Sequence, residues 1–294
     1  MPGTNEIRQH IAAVEQTKKI TGAMQLVSSN RMKQVMGHID QNRRYFTNIR
    51  RMMRELLQSS QGVSHPYLTD RSRNHCTYVV ISGDKGLCGS HNANVLNFAL
   101  KRIRENPGAA LITLGHTAED FFHSRGITPD ITMLGIVQDP TLTRARSVAR
   151  ELTYLYENEL TDDLRVIYTS FYGETRCKPV EFRLLPIRLH DYDDVRDAEE
   201  LQEIMYHPSP QSVFDILVPQ YTIGLIFGVM VQAYASEHYA RMNAMNSATT
   251  NAQEMLDNLL TKYNLARQSA ITNELTEITG AAEILRGDSN YGEY

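Results

Sequence analysis

From Glu6 to about Ser59 the chain contains no proline and only two glycines, Gly22 and Gly37. Apolar residues recur there near a 3.5-residue step: Ile7, Ile11, Val14, Met24, Val35, Ile39, Phe46, Ile49, Met53 and Leu56. Polar residues at Thr17, Lys18, Thr21, Ser28 and Asn42 interrupt the stripe. Such a pattern predicts one long helix of coiled-coil type, and about 50 helical residues reach roughly 75 Å. Gly62, Ser64 and Pro66 are stop signals for it. The other end of the chain behaves alike. From Gln211 to Leu285 only Pro219 interrupts, with Gly224 and Gly228 nearby. A seam runs through Met242, Met245, Ala248 or Thr249, Ala252, Leu256, Leu259, Tyr263, Ala266 and Ala270. Small and flexible side chains permit close helix contact. Two long helices at opposite chain ends can pair antiparallel around whatever lies between them.

The middle has a different period. Cys76–Ser82, Ala109–Leu114 and Ile131–Ile136 read as short buried strands. Helical stretches follow them at Asn92–Glu105, Thr117–His123 and Thr141–Glu159, with further strands at Leu164–Phe171 and Val180–Leu185. This alternation predicts a mainly parallel sheet with helices on its faces. The expected organisation is a shaft of residues 1–60 and 211–294, a central Rossmann-like α/β domain at 74–195, and connectors at 61–73 and 196–210. Asp191–Glu200 is an acidic connector, and His207–Pro210 turns into the last helix.

Composition narrows the functional classes. The net charge of the 294 residues is −4, which does not suggest a nucleic-acid binder. Residues 1–60 nevertheless carry ten Lys/Arg against four Asp/Glu, a net +6, and residues 211–294 four against nine, a net −5. Cys76, Cys88 and Cys177 are widely spaced, so neither a disulfide framework nor a cysteine zinc site is expected, and a reducing compartment fits. The first 25 residues hold no uninterrupted apolar stretch, so no signal peptide is expected. The longest apolar-rich run, Ile223–Val231, is shorter than the ~20 residues of a membrane span.

Four features are candidates for chemistry. The turn Gly83–Ser90 follows a strand and opens a helix, the context in which helix N-termini bind phosphate. It is neither GxGxxG nor GxxxxGK[ST], so a tight turn needing small residues competes with a nucleotide site. Cys88 sits in that turn, where a helix N-terminus lowers a thiol pKa, with His91 three residues on. A cysteine–histidine nucleophile needs the two in contact and a third orienting group. His116 and His123 are seven apart on one predicted helix, with no further ligand at metal spacing. Glu174 and Glu181 form no readable acid–base pair. No catalytic residue, metal site or cofactor is expected.

The two ends also carry a resemblance. Residues 6–27 follow the pattern EIRxxIxxVxxTxKITxAMxxV, which closely resembles the N-terminal helix of F-type ATP synthase gamma subunits. Residues 234–246 (YASEHYARMNAMN) and 247–278 are similar to that family's C-terminal helix, and SGDKGLCGSHNANV at 82–95 to its glycine-rich turn. Two departures stand out. Ile271, Thr272, Glu274 and Glu277 match the family's C-terminal signature, but Gly280-Ala281 arrives one residue early, which questions the local helix end. Ser28-Ser29-Asn30 replaces an often alanine-rich stretch.

The resemblance implies a rotor shaft that couples ion flow in a membrane sector to ATP chemistry in a surrounding ring. The two helices would form an antiparallel coiled coil inside three alpha and three beta subunits, with the central domain against the epsilon subunit and the membrane c-ring. It implies a non-catalytic subunit without a cofactor, peripheral to the cytoplasmic face of a bacterial membrane. Partner contacts implied on the matching segments are Lys18, Lys19, Met24, Arg31 and Lys33, with Arg267, Gln268 and Thr272 at the other end. A coiled-coil adaptor with an α/β head outside any ATPase keeps every compositional fact and remains the competing reading.

Overall fold

The computed structural model describes residues 4–59, 65–68, 71, 75–171, 177–188, 207 and 209–288. The sequence readings at Gly62, Ser64, Glu174 and Asp191–Glu200 lie outside these residues. Elements follow in the order α1 (Thr4–Ser59), a 3-10 turn (Pro66–Leu68), β1 (Cys76–Ile81), α2 (His91–Glu105), β2 (Ala110–Leu114), α3 (His116–His123), β3 (Ile131–Met133), α4 (Leu142–Glu157), β4 (Asp163–Phe171), β5 (Cys177–Leu185) and α5 (Pro210–Asp288). Every strand and helix expected in the middle of the chain is present within a few residues of its expected ends. Helix α5 continues through Gly280 to Asp288, so the early Gly-Ala does not end it.

The chain divides into two compact units, residues 27–243 and a second formed by residues 1–26 with 244–294. In the larger unit the strands form one sheet of order β3-β2-β1-β4-β5. Pairs β1/β2, β1/β4 and β2/β3 are parallel. The last strand, β5, runs antiparallel to β4, as a short connection after β4 permits. Because side chains alternate along a strand, each face receives its own set. Cys76, Tyr78, Val80, Leu111 and Ile167 meet α2 and α3 through Val95, Leu96, Ala99 and Phe122. Val79, Ile81, Ile112, Leu114, Leu164 and Val166 meet α4 through Val148, Ala149, Leu152 and Tyr156. That second cluster also takes Ile49, Met53 and Leu56 of α1 and Phe214, Val218, Ile226 and Met230 of α5. Both sheet faces are thus covered, which is why every residue of its central strand is buried, Thr77 included.

Contribution to this core also explains the apolarity of α5. By length and composition α5 is apolar enough to cross a membrane, with an 18-residue window of mean hydropathy 1.7. Half of that window is buried within the protein, the pattern of a core helix. The apolar-rich run at Ile223–Val231 understated this apolarity, since Thr222 and Gln232 bound the run without making the helix around it polar.

A charged network pins β5 to β4. Asp163 accepts from Arg165 at 2.8 Å and from Arg183 at 3.1 Å, and Arg165 reaches Glu181 at 2.7 Å. Burial alone would raise the Asp163 carboxyl, but the two guanidinium groups bring it below the usual carboxylate range. Glu181 is therefore a structural anion.

The smaller unit is a helix pair. Lys18 donates to Gln253, Thr249 to Thr21 at 2.8 Å, and Gln25 to Asn246 at 3.0 Å. The residue numbers of each pair sum to 270 or 271, which defines an antiparallel register. Ile7 and Val14 pack on Ala252, Leu256 and Leu259, with Ile11, Tyr263 and Ala266 beside them. These are the expected seam residues from both ends. The interruption at Thr21 is filled by hydroxyls, since Thr21 and Thr249 satisfy one another inside the seam.

Candidate functional site

The α/β unit is the first place to look for chemistry, at its glycine-rich turn. Burial and positive φ explain the glycines there. A Cβ on Gly83 would lie 2.8 Å from Cδ of Glu237, and Gly89 has φ of 57°. Several polar groups of the turn find partners within the protein, whereas Asp84 Oδ2 is buried without one among the described residues. Gly83 N–H donates to Asn92 Oδ1 at 3.0 Å, and Asn92 Nδ2 returns to Lys85 O at 3.3 Å. Asp84 Oδ1 accepts from the His116 N–H at 2.7 Å. The backbone carbonyls of Lys85 and Gly86 accept from the guanidinium of Arg241. A phosphate needs free N–H groups, whereas this turn presents occupied carbonyls to a cation.

Cys88 lacks the surroundings of an activated thiol. Burial pushes its thiol up, against the lowering expected at a helix N-terminus. Desolvation exceeds the helix-end effect because Cys88 is almost wholly enclosed, at 2% exposure. His91 meets it through the backbone, His91 N to Cys88 O at 3.2 Å. The His91 ring is buried and its pKa falls to about 4, first by desolvation and then by the nearby Arg241 charge. His116 and His123 sit at opposite ends of α3. His116 Nδ1 faces Glu119 at 3.4 Å. Among the described residues no group of three or more His, Cys, Asp or Glu side chains is placed to hold a metal ion.

The surface of the helix pair offers a different kind of site. Beyond Ala266 the register of the described α1 runs out, and α5 is exposed on nearly all sides to Thr279. Arg267, Gln268 and Thr272 all lie there, exposed. The Thr272 hydroxyl donates to Gln268 O at 2.9 Å, so its polar group is satisfied within the helix and its methyl remains free. Thr276 and Thr279 do the same. Leu265, Ile271, Leu275 and Ile278 form large exposed apolar surface on the same stretch, between 47% and 62% exposed. Sequence reasoning missed these four as surface residues, because nothing local shows which of them the described part of α1 covers. Next to them, Ile7, His10, Leu259, Leu265 and Ala266 line a groove of about 750 Å³.

The other expected contact residues are distributed as follows. Lys19 is exposed, Met24 half-buried, and Lys18 engaged by Gln253 in the helix pair. In the same unit they stand about 14 to 20 residues, or roughly 20–30 Å, from the register of Arg267, so one patch does not include both groups. Arg31 and Lys33, in the larger unit, are exposed. Burial pushes the phenol of Tyr234 up, and the charge of Arg31 draws it back down.

Fold and surface together define an α/β protein with paired terminal helices and an exposed stretch of α5. The sequence matches the ATP synthase family model over residues 3–285. It is 34% identical to the ATP synthase gamma chain of Heliobacterium modesticaldum, covering 97% of this chain and all of the relative. It is 37% identical to that of Symbiobacterium thermophilum, covering 96% and 98%. Among solved structures it resembles a chain of the Euglena gracilis mitochondrial ATP synthase assembly of OSCP, F1 and c-ring, with a TM-score of 0.67 at 18% identity over 99% of this chain and 97% of that one. A chain of the Tetrahymena thermophila central stalk and c-ring gives a TM-score of 0.60 at 21% identity, covering 78% and 99%. The chain belongs to the gamma chain family of ATP synthases, the central-stalk subunits of these rotary machines.

Proposed function

We propose that this protein is the non-catalytic rotor shaft of a bacterial F-type ATP synthase. In this role the helix pair turns inside the ring of alpha and beta subunits, and the α/β unit meets the epsilon subunit and the c-ring at the cytoplasmic face of the membrane. The observation that carries the reading is the antiparallel register of α1 and α5, built from the very segments that match the family. One chain inside a ring of equivalent subunits makes different contacts with each, and only differential contact shifts a conformational equilibrium. The exposed stretch of α5 suits a surface that must slide. Its threonine hydroxyls are satisfied within the helix, so few bonds must break as a partner passes.

The contact residues proposed are Lys18, Lys19, Met24, Arg31, Lys33, Arg267, Gln268 and Thr272. Lys18 holds Gln253 as well, so its loss would also loosen the helix pair. Arg267 and Gln268 make the cleaner test, because both are exposed on the single-helix stretch. Affinity purification of the intact protein from its membrane extract is expected to bring down alpha and beta subunits in excess over this chain. Recovery without them would overturn the rotor role. In the reconstituted complex, Arg267→Ala with Gln268→Leu should lower coupled turnover at unchanged subunit composition. An unaltered rate would remove both residues from the contact set.

A further inference from the structure

In open α/β sheets, ligands enter the crevice at the carboxyl ends of the strands, where the strand order reverses. Here that point lies between β1 and β4, since β2 and β3 extend one way from β1 and β4 lies on the other side. The crevice is filled by the protein itself. Ser236 Oγ donates to Thr169 O at 3.2 Å, and Gln232 Oε1 accepts from Phe171 N–H at 3.4 Å, both at the end of β4. Arg241 donates to Gly86 O at 3.0 Å and Lys85 O at 3.2 Å, just beyond β1. Glu237 holds Arg241 from one turn away at 2.6 Å, and Gly83 is bare because that carboxylate occupies the space.

We infer that residues 232–241 of α5 are the built-in occupant of the ligand crevice, and that the Glu237–Arg241 pair is the positioning element that locks the glycine turn onto α5. The chemistry supports this assignment. Glu237 and Arg241 are 7% exposed each, and a buried ion pair is retained only where further hydrogen bonds satisfy its remaining atoms. Among the described residues, Arg241 finds those bonds in the carbonyls of the turn and in Glu237. Serine at 236 is buried completely, its hydroxyl shared between Ala233 O in its own helix at 2.9 Å and Thr169 O of β4 at 3.2 Å, so this face of α5 lies within hydrogen-bond reach of the strand ends. The family's glycine-rich turn is thereby explained as a seat for a helix rather than for a nucleotide. It accepts an arginine through its carbonyls where a phosphate loop would donate through its amides. The inference concerns packing within residues 27–243 and stands whether or not the chain turns in a ring.

Hydrogen exchange on the full chain tests it. Arg241→Met should speed exchange of the amides at 83–92 by about tenfold or more, the scale set by losing charge-assisted bonds to buried acceptors, while α4 amides keep their rates. Unchanged rates at 83–92, or an equal increase in α4, would overturn the assignment. A second cycle does not depend on Arg241. Gly83→Ala should displace the Glu237 carboxylate and loosen the same amides, yet add little in a Glu237→Ala background. Equal effects of Gly83→Ala in both backgrounds would show that the carboxylate is not what the glycine accommodates.

Discussion

The two compact units are built from the same pair of helices but bury them differently. In the helix pair of residues 1–26 and 244–294, each helix hides one narrow stripe. Ile7, Val14 and Leu259 there retain 8–9% exposure. In residues 27–243 the helices lie against a sheet, and Met53, Phe214, Val218 and Ile226 are completely enclosed. A two-helix seam has water on both flanks, whereas a layered core surrounds its side chains. The first arrangement leaves most of each helix free for partners. The second encloses a stripe of α1 and much of α5 against the sheet and leaves residues such as Arg31 and Lys33 on the open side of α1.

The contrast can be broken at its strongest point. Phe214→Ala removes an aromatic side chain from the enclosed core and should cost about 3–5 kcal/mol. Leu256→Ala in the seam should cost about 2 kcal/mol, the low end for leucine, because water can enter the space. Urea unfolding of both variants, followed by exchange in each unit, checks the order. Equal losses would mean that the seam is packed as tightly as the core.

Acid should also act on the larger unit first. His91 is buried and neutral, with its pKa pushed down to about 4 from an ordinary value near 6.5. Between those values the unfolded chain binds the extra proton, so stability falls as pH drops through that window, by an amount on the order of 3 kcal/mol for His91. His238 is lowered to about 4 as well and adds to the same slope. His91→Gln should flatten the slope between pH 6.5 and pH 4. A slope identical to that of the unaltered chain would contradict the neutral, buried state of His91.

Smaller effects sharpen the comparison within the helix pair. Thr249→Val breaks the hydroxyl bridge to Thr21 and should cost about 0.5–1.5 kcal/mol in thermal or urea unfolding. A neutral or stabilising result would show that the seam prefers apolar residues even at its polar step. Arg267→Ala with Gln268→Leu should change stability by less than about 0.5 kcal/mol, since both side chains are exposed. A larger loss would mean that the stretch contributes to folding, and the fall in coupled turnover expected of the pair would then need no partner contact.

Much of this was legible in the amino-acid order. The strands at Cys76–Ile81 and Ala110–Leu114 and the helices between them stand where period and composition put them. So do the seam residues Ile7, Ile11, Val14, Leu256 and Leu259. At Cys88 the sequence left a helix-end thiol and a structural cysteine in competition, and burial favours the second, which a local motif cannot measure. Glu237 and Arg241 lie in a quoted motif yet drew no attention there. Two charges four apart on a helix ordinarily read as a solvated pair.

Periodicity along a helix or strand is a property of near neighbours, so the sequence by itself determined the elements, the stripe each helix would bury and the family to which the ends belong. The order of strands, the antiparallel β5, the stretch of α5 left without a partner and the seating of Arg241 on the turn at Lys85 and Gly86 depend on residues up to about 150 positions apart. Only tertiary structure decides those, because whether a charge or an apolar side chain is exposed depends on which distant segment comes to cover it.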